Sequence, residues 1–86
     1  MDPERIYALH PACRVRPEDF GLLFYDARGP RLLFAATGSL LPPEFFRGQQ
    51  PLGSLLESVP VPRRESIRGL CLRLLEKGFL REQPLC

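Results

Sequence analysis

Few residues in this chain could do chemistry: one histidine, three cysteines and a handful of acids. His10 stands between Leu9 and Pro11, with no serine or cysteine beside it at a catalytic spacing. A structural hydrogen bond through one ring nitrogen is its expected role. Cys13, Cys71 and Cys86 are an odd number at unrelated spacings, with no CxxC or Cys/His ligand pattern for zinc. Cys13 and Cys71 fall at apolar-patterned positions and read as small core residues. Cys86 is the last residue, and Gln83 occupies the place where a prenylation signal needs its cysteine. The glycines are scattered, so no phosphate-cradling loop forms. Glu18-Asp19, Glu57 and Glu65 fall at turn and helix positions where solvation is expected. These residues supply no general acid–base pair, so a non-catalytic protein without metal or cofactor is expected.

The alternative to catalysis is binding. A chain of 86 residues is one domain, spanning residues 1–86, with little room for an enclosed active site. Its net charge of +2 is too weak to imply nucleic acid. Of twelve basic residues only Lys77 is a lysine, and the eleven arginines suit bidentate recognition of carboxylates. No apolar run approaches the ~20 residues of a membrane span. Met1-Asp2-Pro3-Glu4-Arg5 lacks a signal core. A soluble, cytoplasmic protein without a membrane partner is expected.

The elements that must present a binding surface follow from periodicity. Residues 12–16 alternate, with Cys13 and Val15 to one side and Arg14 and Arg16 to the other, which predicts a strand ended by Pro17. Residues 20–26 predict a second strand, with Phe20, Leu22 and Phe24 on one face and Leu23 and Tyr25 on the other. Asp26-Ala27-Arg28-Gly29-Pro30 reads as a hairpin turn with Gly29 at a positive φ. Residues 31–36 predict a third strand, with Leu32 and Phe34 opposite Leu33 and Ala35. Both of these strands are apolar on both faces, so one face packs on helices and the other needs a different cover.

Helices follow. Pro42-Pro43 permits a short helix over 42–47, stopped by Gly48. A second short helix fits 51–58, with Leu52, Leu55 and Leu56 on one face. The longest fits 62–77, with Ile67, Leu70, Cys71 and Leu74 as its apolar stripe, widened by Leu75 and Leu72. Gly69 in its interior predicts a close backbone approach. Residues 1–5 and 81–86 are expected to fray. The fold class is α+β: three antiparallel strands, then three helices.

In a meander the third strand or the first lies at a sheet edge, where unpaired N–H and C=O groups can capture an extended peptide. A groove between that third strand, residues 31–35, and the broad long helix, with Arg63, Arg64 and Arg68 near the helix start, would offer ladder hydrogen bonds, apolar pockets and guanidinium groups together. Its ligand would be an extended peptide with apolar side chains and some carboxylates.

The order Tyr7-x-Leu9-His10-Pro11, Val15-Arg16-Pro17-Glu18-x-Phe20-Gly21, Leu23-x-Tyr25 and Arg31-Leu32-x-Phe34 resembles the mycofactocin peptide chaperones of the MftB type. Leu74-Leu75-Glu76-Lys77-Gly78-Phe79-Leu80 is similar to the close of that family's last helix. The likeness covers about the first 36 residues well. It implies a PqqD-like winged helix-turn-helix, the RiPP recognition element. It further implies that the leader of a ribosomally made precursor peptide adds as a strand beside the third β-strand, against the last helix, in a groove lined by Arg31, Leu32, Leu33, Phe34 and Ala35 and by Arg64, Arg68, Leu72 and Leu75. The partners implied are that precursor and a radical S-adenosylmethionine maturase. Pro42-Pro43, Pro51 and Pro60 depart from the smoother helices expected of relatives. Two rival readings share this architecture. A winged-helix nucleic-acid binder would need a reading helix, yet residues 51–58 carry Glu57 and no basic side chain. A dimerisation domain would pair its edge strand with a second copy, as a monomer in weak or swapped exchange.

Overall fold

The structure, a computed structural model, describes residues 4–29, 31–48 and 50–83. Within it, β1 (Tyr7–Leu9), β2 (Cys13–Glu18), β3 (Gly21–Asp26) and β4 (Arg31–Ala35) precede α1 (Leu52–Ser58), α2 (Arg64–Glu76) and β5 (Leu80–Glu82). The three predicted strands are β2, β3 and β4. They form one antiparallel sheet in the order β2-β3-β4, which leaves β4 at an edge.

The register decides what each face and edge presents. Leu22 pairs with Ala35, Phe24 with Leu33 and Asp26 with Arg31, and these side chains point inward. Leu23 pairs with Phe34 and Tyr25 with Leu32, and these point outward. The Ala27 amide donates to the Ala12 carbonyl at 3.1 Å, which fixes the phase of the β2–β3 ladder. Antiparallel bonding alternates along a strand, so Leu22, Phe24 and Asp26 turn their main-chain groups toward β4. By the same alternation Arg31, Leu33 and Ala35 bond back to β3. The main-chain groups of Leu32 and Phe34 therefore face the open edge.

The inner face of the sheet closes on one core. Phe24 is fully buried and meets Phe46 edge-on at 5.1 Å and Phe79 at 6.3 Å between ring centroids. Leu52, Leu55 and Leu56 of α1 and Ile67, Leu70, Cys71 and Leu74 of α2 complete it. The helical stripes expected from spacing in α1 and α2 are thus the buried ones.

Several expectations need correction. Strand β2 runs through Pro17 to Glu18. Pro17 sits opposite Leu22, where the bonding phase turns its nitrogen away from β3 on an edge strand, so no ladder bond is lost. Phe20 is not in the strand. It lies in the two-residue turn between Glu18 and Gly21, and its ring packs on Phe34 at 5.8 Å on the outer face. Gly21 makes that tight turn possible: at φ +147° a Cβ would lie 2.2 Å from the Ala35 carbonyl oxygen. The β3–β4 turn does not use Gly29 in a left-handed conformation. The Asp26 carboxylate holds it instead by accepting the Arg28 amide at 3.0 Å.

Two α-helices form rather than three. Residues Pro43–Arg47 make a 3₁₀ turn, entered by an i→i+3 bond from the Phe45 amide to Pro42 O at 3.2 Å and ended by Gly48 in the left-handed region. A second 3₁₀ turn, Val61–Arg63, leads into α2. The chain after α2 is not a free tail as far as Gln83. Leu80–Glu82 pairs antiparallel with Tyr7–Leu9, the Gln83 amide donates to Ile6 O at 2.8 Å, and Arg5 meets Glu82 at 3.2 Å. The rest of the expected fraying, residues 1–3 and 84–86 with Cys86, lies outside the described residues. Gly69 has open space where a Cβ would be, so no backbone packs against it. No helix among the described residues is long and apolar enough to cross a membrane.

Candidate functional site

The open edge of β4 borders a furrow whose other wall is α2. One end is a depression of about 240 Å³ lined by Phe34, Ala35, Arg63, Ile67, Leu70 and Arg73, with Thr37 and Ser66 among its neighbours. The other end, of about 540 Å³, is lined by Arg31, Leu32, Leu33, Phe34, Arg73 and Lys77, with Phe79 at its floor. Phe34 and Arg73 border both, so the two ends are continuous.

All five predicted β4 residues line this furrow, but they do different things. Leu32 and Phe34 stand exposed, at 57% and 65% of their full accessibility, and supply the open main-chain groups. Leu33 is half-buried against the core and Ala35 is buried. Arg31 is committed to the fold. Its guanidinium bonds Asp26, donates to the Lys77 carbonyl at 2.7 Å and lies over the Phe79 ring at 5.0 Å. Arg28 makes the companion clasp, to Asp26 at 3.0 Å and to the Gly78 carbonyl at 2.8 Å. Two arginines thus satisfy the two carbonyls just past the end of α2, where the helix dipole favours cations, and they tie that helix end to the β3–β4 hairpin. Asp26 is almost fully buried between them. Hydrogen bonds from Arg28, then Arg31, hold its carboxyl well below the usual carboxylate range, and Asp26 in turn raises Arg28.

The four helix residues expected in the groove are not in it. Arg64 turns back, with Nε donating to Val59 O at 2.9 Å and Nη2 to Glu57 O at 3.3 Å, and so caps the end of α1. Arg68 pairs with Glu65 at 3.3 Å one turn away. Leu72 is exposed, and Leu75 packs half-buried against the core. At 100° per residue these four lie roughly 180° around the helix from Arg63, Ser66, Leu70, Arg73 and Lys77. The buried stripe has two flanks, and the flank widened by leucines is the one turned away from β4. Arg63, one of the three arginines expected at the helix start, does line the furrow; the missed signal is its continuation at 66, 70, 73 and 77, a helical row bearing two further cations. Among the described residues, the side chains of Arg63, Arg73 and Lys77 have no ion-pair partner.

The remaining reactive side chains lie outside the furrow. The His10 Nδ1 accepts the Ala12 amide at 3.0 Å, which is the role expected for it. Cys13 and Cys71 are buried free thiols. Burial pushes Cys71 up to about 11 and raises Cys13 as well. Among the described residues no three His, Cys, Asp or Glu side chains gather as a metal site would require.

The furrow can therefore offer three things together: main-chain groups to extend a sheet, an apolar floor, and cations on its far wall. Comparison with protein-family models, with curated proteins and with solved structures found no match.

Proposed function

We propose that this protein is a non-catalytic peptide chaperone. It takes the leader of a ribosomally made precursor as an added strand on β4 and presents it to a radical S-adenosylmethionine maturase. In this reading the domain is a cytoplasmic, PqqD-like recognition element of winged helix-turn-helix type, related to the mycofactocin chaperones whose motifs its first 36 or so residues resemble. One observation carries it: the edge of β4 is open at Leu32 and Phe34, beside a wall formed by α2 and the residues flanking it, which bears Arg63, Arg73 and Lys77. An extended peptide satisfies the edge with ladder bonds, seats apolar side chains on Phe34, Ala35, Ile67 and Leu70, and places carboxylates against the cations.

The test is calorimetric titration of the full chain with the synthetic leader of its precursor. Arg73→Glu, at the middle of the furrow, is expected to weaken binding at least tenfold. Arg68→Glu, on the opposite flank, is expected to leave it within twofold. Equal losses from the two variants, or no binding by the parent chain, would remove the furrow as the peptide site. The binding should also weaken as salt rises, because surface charges are screened beyond about 8–10 Å at physiological ionic strength.

A further inference from the structure

The sheet has a second edge, β2, on the side away from the furrow. Arg14 and Arg16 bond to β3, so the ladder phase turns the main-chain groups of Cys13, Val15 and Pro17 outward. Two of these three positions are closed. The Cys13 amide donates to the His10 carbonyl at 2.8 Å, and the Cys13 carbonyl accepts Arg14 Nη1 at 3.0 Å. Pro17 has no amide to give. Val15 alone keeps both an N–H and a C=O open, so this edge can pair with one residue and cannot propagate a strand.

Val15 borders a depression of about 350 Å³ beside the 3₁₀ turn Pro43–Arg47. Leu9, Pro43 and Phe46 give it apolar walls, and His10, Arg14 and Arg47 give it donors. No aspartate or glutamate lines it. Because the His10 Nδ1 accepts the Ala12 amide, the neutral ring carries its proton on Nε2, which has no acceptor among the described residues. Arg14 uses only Nη1, for the carbonyls of Pro11 and Cys13. Those two bonds hold the guanidinium at the strand edge and leave Nε and Nη2 free. Arg47 has no ion-pair partner among the described residues.

We propose that this depression binds the C-terminal residue of a polypeptide, one with an apolar side chain and a free carboxylate. The terminal residue pairs with Val15: its amide donates to the Val15 carbonyl, and the Val15 amide donates to its carboxylate. An antiparallel chain on this edge runs from Pro17 toward Cys13, so its C-terminus arrives at the His10 and Arg14 side. It must end there, because the Cys13 groups that a further residue would need are taken. The free fork of Arg14, with Arg47, neutralises the carboxylate, and His10 Nε2 adds a donor. The apolar side chain seats against Leu9, Pro43 and Phe46. A carboxylate on an internal aspartate or glutamate gains the charge contacts without the pairing to Val15.

The experiment is an NMR titration of the full-length, isotope-labelled chain with three peptides: acetyl-Ala-Ala-Leu as the free acid, the same peptide as its amide, and acetyl-Ala-Glu-Leu-amide. Shifts at His10, Val15 and Arg47, with the free acid binding at least fivefold tighter than either amide, support the proposal. Arg47→Glu should abolish those shifts, and Arg14→Gln takes its place should circular dichroism show that variant unfolded. Arg73→Glu in the furrow should leave them, which separates this site from the proposed leader site. Four results overturn the proposal: equal affinity for the free acid and the glutamate amide, equal shifts from acetate, no shifts at these residues, or a concentration-dependent doubling of mass that Asp19→Asn removes.

Discussion

Asp26 is the residue on which the furrow's geometry turns. It is buried, it holds the β3–β4 turn, and through Arg28 and Arg31 it fixes the end of α2 against the sheet. Because its folded pKa lies below the unfolded value of about 3.9, its contribution is complete at neutral pH and is lost as pH falls through the acid range. Asp26→Asn should lower the thermal midpoint at pH 7 by more than about 5 °C. The difference from the parent chain should shrink at pH 3, where the parent begins to lose the same interaction. A constant difference across that range would show that the carboxylate charge is not what binds the two arginines. Cys71 acts at the other end of the scale. Its folded pKa of about 11 exceeds the ordinary thiol value of about 8.5, so its stabilising effect is full below pH 8.5 and fades as pH rises toward 11. At pH 8 it should react with a thiol reagent only as fast as the chain unfolds, a rate that peptide mapping by mass spectrometry measures.

At the scale of elements, the strands were legible because alternation survives in short runs, as Arg14-Val15-Arg16 and Leu22 to Tyr25 show. The buried stripe of α2 was legible for the same reason at period 3.6. Which flank of α2 faces β4 was not, since a one-dimensional pattern fixes the stripe and leaves its two sides equivalent. Leu72 and Leu75 lie on the flank turned away from β4, while Arg73 and Lys77 line the furrow. Strand β5 was also hidden, because three residues after a helix carry no periodicity and gain their partners only when the chain returns to Tyr7–Leu9. At Pro43–Arg47 a short helical segment was readable from Pro42-Pro43 and Gly48, and its 3₁₀ winding was not. Gly69 gives an element-scale test. It sits inside α2 with open space around it, so Gly69→Ala should stabilise the domain by about 0.5–1 kcal/mol in urea denaturation. A loss of stability would mean that something does pack on that face of the helix.

At the scale of the molecule, a small sheet is left with one edge and one face uncovered. Natural edge strands are usually protected by charge, proline, a bulge or a covering element. β4 has none of these toward the edge: its one charged residue, Arg31, folds inward to Asp26, and its outward side chains are Leu32 and Phe34. That exposure is the property the proposed strand addition uses, and it also explains why self-pairing is the natural competitor. The most direct measurement is amide hydrogen exchange along β4, with and without the precursor leader. The account predicts that the Leu32 and Phe34 amides exchange rapidly in the free chain and slow at least tenfold on binding. The Leu33 and Ala35 amides, already bonded to β3, should change little. Leader binding that leaves Leu32 and Phe34 exchanging at their free rates would contradict strand addition at this edge.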